Sequence, residues 1–168
     1  YYYVWAEKTG VGRQISNLYI AQMETPTKLK TVQVLLTTPD YDWERKGFWV
    51  NEGPATMKHD GKIYLTYSAS DTGINYCMGM LSINEEDDVL DPAKWSKKRN
   101  PVLQSDESKG IYGPGHNSFT VDNEGNPVLV FHARTEKEIV GDPLYNPNRH
   151  AMLMRFEWNE EGEPIFNL

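Results

Sequence analysis

The 168 residues include one cysteine, Cys77, so an internal disulfide is excluded. Set in a run of apolar type, that thiol reads as a packed side chain rather than a nucleophile, and it says nothing of compartment. Cations are also scarce: 17 Lys and Arg stand against 24 Asp and Glu, for a net charge of -7. That balance argues against nucleic acid or an anionic membrane as partner, because both need clustered Lys and Arg. No stretch approaches the roughly 20 apolar residues of a membrane-spanning helix. The histidines do not make a metal set, since His59 belongs to a turn and His150 to a strand. Helical periodicity is nearly missing. The best stretch, Glu85 to Trp95, is acidic at its start, and Asp91-Pro92 marks a turn onset, which predicts one short turn. Its acids, Glu85, Asp88 and Asp91, lack the spacing and glycines of a calcium loop and read as solvated.

What the chain has instead is short β-rich runs between turn signals. Thr9-Gly-Val-Gly12, Asp60-Gly61, Asp71-Thr-Gly73 and Asn123-Glu-Gly125-Asn-Pro127 punctuate it, and His59-Asp60-Gly61-Lys62 predicts a tight hairpin into Ile63-Tyr-Leu-Thr-Tyr67. These runs recur. Glu52 set over His116 gives an offset of 116 − 52 = 64, which also places Gly61 on Gly125 and Tyr64-Leu65-Thr66-Tyr67-Ser68 on Val128-Leu129-Val130-Phe131-His132. Tyr1 to Ala6 matches Ile63 to Ser68, so the counterpart of Glu52 falls about eleven residues before Tyr1. Each unit continues into a second strand, in Asn17–Glu24, Asn75–Ser82 and Arg149–Phe156, and the first two end in short runs at Val32–Leu36 and Val102-Leu103.

Repeats of this length made of short strands predict an all-β fold of propeller blades, with the innermost strand of each blade starting at a central channel. Glu52 and His116 then take equivalent inner positions on neighbouring blades. The expected division is residues 1–47 as the end of one blade, 48–110 as the next and 111–168 as the last. Because Tyr1-Tyr2-Tyr3-Val4-Trp5 begins inside a strand, the chain reads as the C-terminal part of a longer protein whose preceding blades cover that edge.

Three stretches carry candidate chemistry. In Phe48-Trp49-Val50-Asn51-Glu52-Gly53-Pro54-Ala55 one carboxylate sits between aromatic residues and a Gly-Pro break. Trp49 serves equally well as a stacking platform for a ligand or as core. In Tyr112-Gly-Pro-Gly-His116-Asn-Ser118 the histidine follows a bend, and it reads either as a group facing a ligand or as a brace for that bend. Gly141-Asp-Pro-Leu-Tyr-Asn-Pro-Asn-Arg149-His150 is a structured loop ending in an arginine. Arg149 can fork to paired hydroxyls or pair with Asp142 to shape the loop.

Together with Asp42-Trp43-Glu44, Leu65-Thr66-Tyr67-Ser68-Ala69-Ser70 and Asn75-Tyr76-Cys77-Met78-Gly79, these runs make the chain resemble glycoside hydrolase family 43 over essentially its whole length. Within that family it looks most like the α-L-arabinofuranosidases, with β-xylosidases next. The resemblance implies a five-bladed β-propeller, of which this chain supplies roughly the last two and a half blades. It implies an inverting hydrolase that removes terminal α-L-arabinofuranosyl or β-D-xylosyl residues from plant-derived oligosaccharides. By the same resemblance Glu52 is the general acid, Arg149 reaches sugar hydroxyls, and His116 lies at the channel, binding substrate or helping to hold a structural calcium ion through water. No cofactor is required. The base and a tuning Asp are expected upstream of Tyr1.

The residue types suit that chemistry. An inverting hydrolase needs a protonated carboxyl to give its proton to the leaving oxygen, and a carboxylate roughly 6.5–9.5 Å away to activate water. An apolar flank of Phe48 and Trp49 favours the neutral form that an acid must keep. Without a base of its own, the segment alone is expected not to hydrolyse glycosides. The reading from another class is a carbohydrate-binding propeller without catalysis, which the complete Glu52 motif disfavours. A protein-interaction scaffold fits less well, since the inner turns are apolar and rich in Gly and Pro.

Overall fold

Three antiparallel sheets stand face to face in the computed structural model, which describes residues 1–12 and 14–168. The first comprises β1 (Tyr2–Thr9), β2 (Ile15–Thr25), β3 (Lys28–Leu29) and β4 (Val34–Thr37), the last two both paired with β2. The second runs in chain order through β5 (Asn51–His59), β6 (Lys62–Ala69), β7 (Cys77–Asn84) and β8 (Ser96–Lys97). The third holds β9 (Tyr112–Val121), β10 (Pro127–Arg134) and β11 (His150–Arg155), and a ribbon of β12 (Glu157–Trp158) and β13 (Pro164–Ile165) follows it. Helix is limited to single 3-10 turns at Asp42–Glu44, Pro92–Lys94 and Glu107–Lys109 among the described residues. The second of these lies in the stretch expected to make one short turn. There Asp91 caps the turn, its carboxylate accepting from the Ala93 amide at 3.0 Å.

The middle sheet explains why its sequence is apolar without a clean alternation. In a strand, successive side chains point to opposite faces. On β6 and β7, Leu65, Tyr67, Ala69, Cys77, Leu81 and Ile83 face the first sheet and meet Leu18, Ile20 and Leu36 there. The opposite face of β7 presents Met78 to a second cluster with Leu129, Phe131, Ala133, Phe156 and Phe166 of the third sheet and the tail. Both faces are therefore core, and residues 64–70 are buried without a break. Cys77 is 4% exposed, and burial pushes its thiol up to about 12, so it is packing material as expected.

Two expectations need correction. The outer strand of the middle sheet is Ser96–Lys97, paired with Leu81 and Ser82, and not Val102-Leu103. Leu103 makes a single bridge to Met78 and is instead buried in the second cluster, where its side chain gains more than a solvent-facing outer strand would give. The repeat frame also slips by one residue on the inner strands. The predicted hairpin is present: His59 pairs with Lys62 across Asp60 and Gly61, both at positive φ (45° and 72°), as the two-residue turn that matches strand twist requires. In the third sheet Val121 pairs with Pro127, leaving the odd-length loop 122–126. Consequently Ser68 faces Glu52, whereas its counterpart His132 faces Gly115. The structural equivalent of Glu52 is Gly115, and His116 corresponds to Gly53. Those two share a left-handed backbone, φ 49° at His116 and 55° at Gly53, in matching bulges where two residues oppose one.

Candidate active site

The bulge at Gly53-Pro54 turns the head of β5 and sets the direction of Glu52. Its approach is clamped from three sides. The Ser16 amide donates to the Trp49 carbonyl at 3.0 Å, the Ser16 hydroxyl donates to the Asn51 carbonyl at 3.1 Å, and Asn51 Nδ2 donates to Glu44 Oε1 at 2.9 Å. Asn51 and Glu44 are both fully buried.

Glu44 is the residue that the sequence analysis passed over. Its Oε1 accepts from Asn51 and from Tyr67 Oη at 2.8 Å, while its Oε2 accepts from the Asp40 and Tyr41 amides at 2.7 and 2.8 Å. Lys97, 12% exposed at its side chain, lies 2.8 Å from Oε1 and 2.9 Å from Oε2, with its ammonium over the rings of Tyr41 and Tyr67. A carboxylate so fully supplied with donors is a fixed point, and β5 hangs from it.

Glu52 itself is half-buried. Tyr76, 1% exposed, donates to Glu52 Oε1 at 2.6 Å, and the same hydroxyl lies 3.3 Å from His116 Nδ1. Burial first, and then the charge of Glu52, hold the Tyr76 hydroxyl well above its ordinary range, so it acts as a donor. Oε2 takes no hydrogen bond from the described residues and is left to the cleft. That cleft has a volume of about 760 Å³ and is lined by Glu52, Trp49, Phe48, Ser16, Asp71 and Leu144 among others. Its size falls in the range of sites that enclose a small ligand. Phe48 is 63% exposed, so the close neighbour of Glu52 is the Tyr76 hydroxyl rather than the Phe48 ring. Trp49 carries the Arg45 guanidinium 4.7 Å from its ring centroid.

His116 and Arg149 line an adjoining cleft of about 760 Å³ that shares Leu144 with the first. His116 is exposed, and its amide donates to Ser68 Oγ at 2.7 Å. Its ring covers Gly53, where a Cβ would stand 3.1 Å from Nδ1. Arg149 does not pair with Asp142. Its Nη2 lies 3.1 Å from His132 Nε2, and because a guanidinium can only donate, Nε2 accepts and the imidazole is neutral. His132 in turn stacks on Tyr76 at 5.4 Å. Tyr76 and His132 thus join Glu52, His116 and Arg149 into one contact chain, and neither was singled out from the sequence.

The loop-shaping arginine is another one. Arg134, 2% exposed, donates to Asn146 Oδ1 at 3.1 Å and to the carbonyls of Asn148, Thr72 and Pro143 at 3.0, 3.4 and 2.7 Å. It pins residues 143–148 against the middle sheet.

Calcium takes six to eight oxygen ligands. Around His116 the described residues present Tyr76 Oη, the Gly53 backbone and the His132 ring, and no three His, Cys, Asp or Glu side chains converge on a common point. These residues do not by themselves make a cage for such an ion, and no step below passes through one.

Two outcomes follow locally. Burial, then the charges of Arg149, His116 and Arg134, bring the His132 imidazole from 6.5 down to about 4. The unfolded chain therefore takes up a proton that the folded chain refuses, so the contribution of His132 to stability is present above pH 6.5 and is lost as pH falls toward 4. Urea midpoints at pH 7 and pH 5 should differ less in His132→Gln than in the parent. At Gly115 a Cβ would lie 2.5 Å from Tyr76 Cε1 and 2.9 Å from Ser68 Oγ. Gly115→Ala should cost about 1–3 kcal/mol of stability by overpacking and should shift Tyr76 off Glu52; an unchanged urea midpoint would contradict this packing.

Stacked sheets with inner strands side by side form a segment of a β-propeller, and a carboxyl at the head of one of those strands opens on a small-ligand cleft. The family model for glycosyl hydrolases family 43 matches residues 1–164, and the chain belongs to that family. It is 44% identical over 98% of its length to an extracellular exo-α-(1→5)-L-arabinofuranosidase of Streptomyces avermitilis, covering 34% of that protein. It is 40% identical over 99% of its length to α-L-arabinofuranosidase 43 of Humicola insolens, covering 35% of it. Among solved structures, an α-L-arabinofuranosidase from Lactobacillus brevis superposes with a TM-score of 0.95 at 54% identity, over 99% of this chain and 51% of that one. The chain thus spans about a third of the length of these curated relatives and about half of that solved structure.

Proposed function

We propose that the whole protein is an inverting glycosidase that releases terminal α-L-arabinofuranosyl residues from oligosaccharides, with Glu52 as its general acid. The observation that carries the reading is the placement of Glu52, with Oε1 held by Tyr76 and Oε2 left to a small-ligand cleft. In the proposed reaction Glu52 Oε2 passes its proton to the glycosidic oxygen as the bond to the anomeric carbon breaks. The bonding pair leaves with that oxygen. Water adds to the opposite face and gives its proton to a carboxylate on a preceding blade. Trp49 helps to form the wall of the sugar cleft, while Arg149 and His116 supply donors from the adjoining cleft. The three sheets correspond to the end of one blade (1–47), a further blade (48–110) and the last (111–168) of a five-bladed ring.

Arabinose is preferred over xylose because relatives at 40% and 44% identity are named arabinofuranosidases. The test is p-nitrophenol release by the whole protein from the α-L-arabinofuranoside and the β-D-xyloside, with proton NMR of the first-formed anomer. The reading expects the arabinoside to be turned over faster and the anomeric configuration to invert. Faster xyloside turnover would reverse the substrate assignment. A retained anomer would remove the inverting mechanism.

A further inference from the structure

The reach of Glu52 beyond its own strand is through one buried hydroxyl. Tyr76 sits before β7 in the loop that follows β6, and its packing leaves it little freedom. Its ring stacks on His132 at an interplanar angle of 11°. Gly115 is pressed against its edge and Gly113 against its Cβ, since a Cβ added at those glycines would lie 2.5 Å and 3.4 Å from Tyr76. From that slot Oη reaches Glu52 Oε1 at 2.6 Å, the length of a charge-assisted hydrogen bond to a carboxylate. Tyr76 is 1% exposed and lines neither of the two clefts described above, so its route to the sugar is through Glu52.

We propose that Tyr76 is a positioning residue for the reaction: it orients Glu52 so that Oε2 carries the proton, and it stabilises the carboxylate that forms as this proton leaves. The inference rests on the reading of Glu52 as the general acid. A donor already aimed at the atom where charge appears needs no reorganisation during the step, and that is what makes such groups effective in a water-poor site. The structure also shows why the neighbouring glycines are needed. Gly113 and Gly115 bring β9 close enough to hold the ring, so the bend before His116 serves the acid on the adjacent sheet.

The role predicts a dependence on the leaving group that a structural tyrosine would not show. Tyr76→Phe in the whole protein should lower kcat on an arabino-oligosaccharide by about 10- to 100-fold, the scale of one charge-assisted hydrogen bond. It should lower kcat on the 2,4-dinitrophenyl arabinofuranoside, whose leaving oxygen needs no proton, by less than about 3-fold. In a Glu52→Gln background the same change should cost less than about 2-fold, because the amide has no proton to give and forms no carboxylate for Tyr76 to stabilise. Equal losses on both substrates, an undiminished loss in the Glu52→Gln background, or no loss on the oligosaccharide would each overturn the proposal. If Glu52→Gln alone keeps its turnover of the oligosaccharide, the acid assignment fails and this inference with it. If Glu52→Gln collapses while Tyr76→Phe behaves like the parent, only this inference fails. Near-UV circular dichroism checks folding. Should Tyr76→Phe not fold, 3-fluorotyrosine in place of Tyr76 keeps the ring and hydroxyl while changing donor strength. Turnover of the oligosaccharide should then change without that of the dinitrophenyl substrate, and parallel changes would overturn the proposal.

Discussion

Glu52→Gln in the whole protein is expected to lower kcat on an arabino-oligosaccharide by about 10²- to 10⁴-fold, the usual contribution of a positioned proton donor. The substitution is nearly isosteric. The amide oxygen can still accept from Tyr76 at the Oε1 position, so the strand head and the cleft should keep their shape. What is lost is the proton at Oε2. An activated aryl arabinofuranoside needs little help at its leaving oxygen, so its turnover should fall far less, and the ratio of the two losses separates a missing acid from a misfolded site. Comparable losses on both substrates would point to a role in binding or folding instead, and near-normal turnover of the oligosaccharide would remove Glu52 from the chemistry.

The second large effect is on stability and comes from a residue outside the cleft. Glu44→Gln should destabilise the whole protein by about 3–5 kcal/mol, read as a lower urea midpoint at unchanged slope. Every group around Glu44 donates: two amides, Asn51 Nδ2, Tyr67 Oη and the Lys97 ammonium. A glutamine would aim its own NH₂ at some of them and would leave Lys97, 12% exposed, with the more distant Asp40 carboxylate at 3.4 Å as its counter-charge. Because Asn51 precedes Glu52, the loss should extend to turnover as well. A cost below about 1 kcal/mol would mean that Lys97 reaches solvent when Glu44 is neutralised.

The fold class was legible because strands announce themselves locally. Asp60-Gly61 supports a two-residue turn, and the recurrence of apolar runs at a fixed offset marked the sheets before any contact was known. The slip that places Gly115 opposite His132 was not legible, since it depends on the loop 122–126 counting one residue differently within the sheet. Glu52 stood out by its motif. Its supports did not: Glu44, Tyr76 and Arg134 are distant from their partners in sequence, and each looks like an ordinary acid, aromatic or base until the sheets stack. Arg149 was noticed for ending the loop, yet Arg134 holds it, because Arg134 lies on the buried face of β10 and Arg149 lies beyond it against His132. Buried polar networks are defined by the tertiary fold, and spacing along a strand carries no record of them.

The way Arg134 grips its loop has an evolutionary side. Three of its four acceptors are main-chain carbonyls, of Thr72, Pro143 and Asn148, which every residue type provides. Leu144 and Tyr145, 61% and 85% exposed, project between those anchor points toward the clefts. Their side chains can be exchanged without loosening the peg. The scaffold thus offers a replaceable wall on a fixed peg, a place where drift or a designer can recut the shape of the cleft while the acid stays where β5 holds it.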